Sequence, residues 1–456
     1  MKTRLRLKHS MKNEPPVSGC RAAGLAGALA TLLLTSVPAR AQEAMTPVLD
    51  SGDTAFVAVC ALVVLLMMLP GLALFYAGLA RSKNVLSVLM QVFTVVAFMS
   101  VLWAVFGYSL TFADGGSLQP FIGGMDKVFL MGIDGDALVG TIPEYLYVFF
   151  MMMFAAITPP IIVGGFAERM KFSAVMVFMP IWLLINYIPM AHMAWGGGWV
   201  FNLSVQDFAG GNVVHVNVGI AALVGAAMIG RRQGWGSAAV APHNMTMTMT
   251  GGSMLWVGWL GFCGGCALAA NGFSALIMLN TMLASAAGTL GWLFVEWRQR
   301  GRPSMLGAVS GAIAGLVAVT PACGFVGPMG AIILGLLAGP VCLWAVEWLK
   351  PRLGLDDAFD VFGVHGVGGI LGGLLTPLFA LPALGGLGFA EGRGLLEQTG
   401  INFGALVFSI LYAAVTAWIA FKIAAACCKG LRVDADQERD GLDLNAHGEV
   451  GYRDIG

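Results

Sequence analysis

The chain has 456 residues, of which 58% are hydrophobic and only 11% charged, a balance that the surface of a water-soluble protein of this size does not tolerate. It is therefore read as an integral membrane protein. Its 25 basic residues are matched by 25 acidic ones and form no basic stripe, so nucleic-acid binding has no electrostatic basis and is excluded.

The chain opens on Lys2, Arg4, Arg6, Lys8, Lys12 and Arg21, then the apolar run AAGLAGALATLLLTSV and Ala39-Arg40-Ala41. That order is the pattern of a secretory signal peptide over residues 1–41, cleaved after Ala41; the alternative is an uncleaved first transmembrane helix. Apolar runs long enough to cross a bilayer, about 20 residues each, then predict eleven helices, near 54–80, 86–110, 144–167, 172–194, 209–230, 245–268, 274–297, 304–322, 327–349, 360–380 and 401–428. The expected fold is an all-α polytopic membrane protein with one membrane domain, 42–428, and a polar tail, 429–456.

Arg81 and Lys83, Arg169 and Lys171, Arg231 and Arg232, Arg298, Arg300 and Arg302, and Lys350 and Arg352 fall in alternate loops. The other loops are acidic or nearly uncharged, as with Asp114, Asp126, Asp134, Asp136 and Glu144. The positive-inside rule then places the mature N-terminus outside and the tail in the cytoplasm, as for a protein of a bacterial inner membrane. The glycine-punctuated GLD and HGE of the tail read as turns held against something rather than as low-complexity sequence.

Within the fifth run, Val-His-Val-Asn-Val-Gly (214–219) echoes Val-His-Gly-Val-Gly-Gly (364–369) of the tenth. The two are offset by five spans, an odd number, so they run in opposite directions, and a five-plus-five inverted repeat with an added eleventh helix follows. Ionisable groups inside spans are costly and usually functional, which singles out His215 and His365; a helix–helix hydrogen-bond link and haem ligation are the other readings. Two imidazoles in an apolar path suit a small neutral molecule that donates and accepts hydrogen bonds. A bare alkali cation has no acidic ring to offset its desolvation, whereas an amine cation can release its proton, at a cost of about 4 kcal/mol at neutral pH for a pKa near 10. Asp207 is placed as the N-cap of the fifth helix, accepting near Ala209 and Gly210, and Asp360 as its equivalent before His365. Cys263 and Cys266 form a CxxC without a second Cys or His pair nearby, so neither zinc nor redox chemistry is supported. No cofactor, metal or enzymatic reaction is called for.

The strings AHMAWGGG (191–198), DFAGGNVVHVN (207–217), PHN (242–244), GWLGF (258–262), GAIAGLVAVTPACG (311–324), DDAFDVFGVHG (356–366) and GLDLNAHGE (441–449) resemble the ammonium transporter family of the Amt, Mep and Rh type, on its Amt branch. The resemblance covers nearly all of the chain after residue 41. It implies that ammonium is held at an outer site by Trp195 through cation–π attraction, passes the stacked Phe154 and Phe262, and crosses as ammonia along the twin histidines His215 and His365, with Asp207 as the essential aspartate. It further implies a homotrimer in the lipid bilayer, a tail that couples subunits through Gly441, His447 and Glu449, and a PII-type regulatory protein at the cytoplasmic face. Cys266 stands where many members carry a serine, and its thiol is a weaker acceptor. A second function, an ammonium sensor signalling through the tail, and a third, a proton-coupled carrier of another solute, are the competing readings.

Overall fold

The computed structural model describes residues 48–236 and 240–452; the expected signal segment, 1–41, lies outside them. Lipid offers no partner to a backbone amide or carbonyl, so spanning segments must satisfy their hydrogen bonds internally, and helices do so. Eleven helical segments follow: α1 Ser51–Leu79, α2 Ser82–Phe112, α3 Glu144–Phe166, α4 Phe172–Asn202, α5 Gly211–Ile229, α6 Met245–Gly264, α7 Gly272–Arg300, α8 Met305–Val319, α9 Pro328–Leu353, α10 Phe362–Phe379 and α11 Leu395–Cys427. Nine are long and apolar enough to cross a membrane by themselves. The other two are α6, diluted by its threonines and glycines, and α8, which has only 15 residues, most of them buried by its neighbours.

Starts follow local chemistry. Asn244 caps α6 by accepting from Met247 N, Asn271 and Ser274 form a reciprocal capping box on α7, and Ser304 caps α8 through Gly307 N. The inverted repeat is visible in irregularities that its halves share. Both α4 and α9 carry a π-helical turn, at Leu183–Tyr187 and Ala345–Leu349, and α5 and α10 both open on one, at Gly211–Val216 and Phe362–Gly366.

The two repeat partners α5 and α10 cross at glycines. A Cβ added to Gly219 would stand 2.3 Å from Gly366 Cα, and one on Gly369 would stand 3.1 Å from Val216 N. At about 1.5 Å per residue, α5 begins about 12 Å before the crossing and α10 about 6 Å before it, while each continues roughly 15 to 20 Å beyond it. Laid across a hydrocarbon core about 30 Å thick with their far ends at its two faces, both helices start inside that core.

At the end of the bundle that carries the tail, charges are buried together. Glu168 pairs with Arg81 at 2.9 Å and with Arg232 at 3.2 Å, and Arg232 pairs with Asp356 at 2.9 Å. Burial alone would raise the Glu168 carboxyl, but Arg81 and Arg232 hold it below its ordinary value. The tail locks onto this face as two short helices, α12 Ala435–Asp440 and α13 Leu442–His447. Val433 N donates to Arg169 O at 3.1 Å and Lys171 N to Leu431 O at 2.9 Å. Glu438, buried, pairs with Arg432 at 2.7 Å and accepts from Gln233 N, and Asp443 accepts from Leu86 N and Ser87 N at 3.0 and 2.7 Å.

Candidate functional site

A helix that begins inside a membrane exposes backbone donors that water cannot reach, and an acceptor must be supplied. Asp207 supplies it for α5. Its carboxylate accepts from Gly211 N and, at 2.8 Å, from Asn212 N, two residues further along than the Ala209 and Gly210 amides expected of it. Of the two expected donors, Ala209 N is taken by Thr320 O, whereas the amide of Gly210, which stands in the left-handed region at φ 101°, stays among those gathered around the carboxylate.

The equivalent carboxylate on α10 is Asp357, not Asp360. Asp357 Oδ2 accepts from Phe362 N at 2.7 Å, and it precedes His365 by the same eight residues by which Asp207 precedes His215. Asp360 occupies the position equivalent to Gly210, with φ at 62°, and its carboxylate pairs with Lys350 instead. Sequence reasoning chose the aspartate nearer the histidine; counting back eight residues in both halves identifies the right one.

With both helices capped and crossing, His215 and His365 meet at their Nδ1 atoms, 3.2 Å apart. One Nδ1 must donate and the other accept, which leaves the Nε2 edges free. His215 Nε2 is buried without a partner among the described residues, and His365 borders a cavity on the tail side. The His215 ring is fixed by Trp259, stacked on it at 5.0 Å between centroids, and Trp259 is fixed in turn by donating from Nε1 to Thr320 Oγ1 at 2.9 Å. Sequence reasoning missed Trp259, although it lies in the GWLGF string three residues before Phe262.

Phe154 of α3 and Phe262 of α6 stack at 4.0 Å with 23° between planes, and Phe262 lies 6.4 Å from the His215 ring. Trp195 meets Phe154 edge-on at 5.8 Å. Trp195, Phe154 and Cys266 line a cavity of about 140 Å³ together with Tyr147, Phe150 and Phe208. The Cys266 thiol donates to Phe262 O at 3.2 Å, which leaves only sulfur lone pairs towards the cavity. On the far side of the histidines a second cavity, of about 190 Å³, is bounded by Tyr76, Ser310, His365 and the charged Arg232, Lys350 and Asp360. Trp195, the phenylalanine pair and the two histidines thus form one file between two cavities of opposite character, aromatic at one end and ionic at the other.

Residues 55–452 match the Ammonium Transporter Family. An ammonium transporter of Bacillus subtilis (strain 168) is 45% identical over 410 residues, covering 89% of this chain and 100% of that protein. One from Aquifex aeolicus (strain VF5) is 41% identical over 434 residues, covering 95% and 99%. Among solved structures, a sensor Amt protein superposes with a TM-score of 0.80 at 29% identity over 87% of this chain and 98% of that one. Candida albicans Mep2 superposes with a TM-score of 0.79 at 31% identity over 90% and 95%. With its fold, its match over residues 55–452 and relatives above 40% identity all in agreement, the chain belongs to the ammonium transporter family.

Proposed function

We propose that this membrane ammonium transporter captures ammonium from outside the cell in the Trp195 cavity, strips its proton at or below the Phe154/Phe262 stack, and passes ammonia along His215 and His365 to the cytoplasmic cavity. The observation that carries the reading is the buried, unpartnered Nε2 of His215 beyond two closed phenylalanine rings. An apolar passage with a single hydrogen-bonding line rejects a desolvated alkali ion, whereas it gives ammonia a partner at each step. Trp195 attracts the cation by an interaction of about 0.5 to 2 kcal/mol.

In this reading the protein sits in the bacterial inner membrane with the docked tail in the cytoplasm, assembles as a homotrimer with one pore in each subunit, and presents the tail-bearing face to a PII-type protein; residues 1–41 act as its signal peptide. The relative described as a sensor keeps a second reading in view, ammonium sensing through the tail. Proteoliposomes given an ammonium jump, with potassium as control, separate these. An ammonium-specific current lost in His215→Ala/His365→Ala indicates deprotonation with net charge transfer. Internal alkalinisation without current indicates an ammonia channel, and neither signal would move the sensor reading to first place.

A further inference from the structure

His192 is fully buried in the last turn of Ile188–Trp195, the α-helical stretch of α4 that ends at Trp195, and has no part in the passage described above. Its Nδ1 lies 2.8 Å from Thr111 O and its Nε2 2.7 Å from Gln119 O, both backbone carbonyls. A carbonyl oxygen can only accept, so each contact requires an N–H, and a neutral imidazole has one. We infer that His192 is held as an imidazolium and is a positioning residue, fixing Trp195 for capture of ammonium; the inference rests on the reading of Trp195 as the capture wall.

The surroundings favour a cation independently of the two distances. Thr111 belongs to the last turn of α2 and His192 to the last turn of the Ile188–Trp195 stretch of α4, so the ring lies where the negative ends of two helical stretches converge. Carboxylates on the elements packed around it are engaged elsewhere: Asp114 accepts from Gly116 N at 2.9 Å, Glu144 accepts from Tyr108 and pairs with Lys127, and Asp207 caps α5. None of them pairs with His192 among the described residues. The charge is balanced by two backbone carbonyls, one in the last turn of α2 and one in the loop that follows it, rather than by a counter-ion.

The link from ring to tryptophan is short. The segment whose carbonyls the imidazolium gathers also reaches back: Gln119 Nε2 donates to Gly196 O at 2.9 Å, and Trp199 N donates to Pro120 O at 3.0 Å. The glycine after Trp195 makes room for this clamp, since a Cβ on Gly196 would fall 2.1 Å from Thr111 O and 2.6 Å from His192 Nδ1. The residues on either side of Trp195 are therefore tied to one ring, and the indole is held against Phe154 and over Gly210.

Nitrogen-15 spectra of histidine-labelled protein in lipid nanodiscs, assigned by difference with His192→Gln, read the charge directly. Two protonated ring nitrogens on His192 at neutral pH are expected, and a single one overturns the inference. In transport assays His192→Gln should raise the apparent KM for ammonium about two- to tenfold, the scale of one lost hydrogen bond, at nearly unchanged maximal rate. An unchanged KM, or a lower rate at the same KM, would overturn the positioning role. Gln119→Leu keeps both ring contacts and cuts the bond to Gly196 O together with the one that Gln119 Oε1 accepts from Gly115 N, whereas Gln119→Glu keeps the acceptor for Gly115 and loses only the donor to Gly196; both carry the same expectation should His192→Gln fail to assemble. Trp195→Leu separates the two layers, because an unaltered KM in that variant would remove the capture site while leaving the charge on His192 standing.

Discussion

The α5 and α10 arms solve the same backbone problem and put it to different uses. Each has an aspartate eight residues before its histidine, a left-handed residue three places after the aspartate, and a π-helical turn that brings the imidazole to the crossing. In the α5 arm the left-handed residue is Gly210, closed in by Val214 and the Trp195 ring. In the α10 arm it is Asp360, which L-residues other than asparagine and aspartate rarely manage, and its side chain turns out to Lys350. The repeat thus preserves the geometry that starts a helix within lipid and leaves the adjoining chemistry free to diverge, aromatic towards one cavity and ionic towards the other.

Breaking both arms at once has the largest expected effect. His215→Ala with His365→Ala should lower ammonium-dependent flux about 30- to 160-fold, from two lost hydrogen-bonding partners at roughly 1 to 1.5 kcal/mol each. Between the single variants His215→Ala should be the worse, because His215 is 1% exposed and His365 8%. Equal losses would mean that the two rings act only as a pair.

The capping carboxylates come next. Asp207→Ala strands the Gly211 and Asn212 amides and should cost about 2 to 5 kcal/mol, while Asp357→Ala strands the Phe362 amide and should cost about 1 to 3 kcal/mol. Thermal unfolding of the purified protein in detergent, with Asp→Asn variants that keep one acceptor oxygen, measures both. If Asp360→Ala destabilised more than Asp357→Ala, the assignment of Asp357 as the repeat partner would be wrong.

A smaller contrast tests the left-handed position itself. Gly210→Ala places a Cβ 2.9 Å from Val214 and 3.2 Å from the Trp195 ring at φ 101°, and about 1 to 2 kcal/mol of destabilisation is expected. Asp360→Gly relieves backbone strain of similar size but removes the Lys350 pair, which is part-exposed and worth at most about 1 kcal/mol, so its melting temperature should barely move. A large loss in Asp360→Gly would show that the ion pair, rather than the turn, organises the start of α10.

The fold was legible because lipid simplifies the code: long apolar runs and alternating basic loops yielded all eleven helices, including α6 and α8, which fall short by composition or length alone. His215 and His365 stood out as ionisable groups within spans, Trp195, Phe154 and Phe262 by resemblance, and all five are brought into one file. What stayed hidden depends on contacts between distant segments. Trp259 owes its place to Thr320, which is remote in sequence; Glu438 reads as an ordinary tail charge until Gln233 N donates to it, and the GLD element reads as a turn held against something without showing that Asp443 would cap the start of α2. Asp360 was mistaken for Asp357 because proximity to the histidine was weighed above the count between the two halves.

The smallest effect concerns the aromatic cavity, where Cys266 replaces a hydroxyl expected from the family pattern. A serine there would keep the bond to Phe262 O and turn an oxygen rather than a sulfur towards the bound cation. Oxygen is the stronger acceptor, and a difference of about 0.5 to 1 kcal/mol corresponds to an apparent KM two- to fivefold lower in Cys266→Ser. Maximal rate should not change, because the exchange leaves the phenylalanine stack and the histidine line as they are. Competition between ammonium and methylammonium in vesicles resolves a shift of this size. An unchanged or weaker affinity would mean that Trp195 and backbone carbonyls already hold the ion without help from residue 266, and the α5 side of the passage would then be aromatic in function as well as in lining.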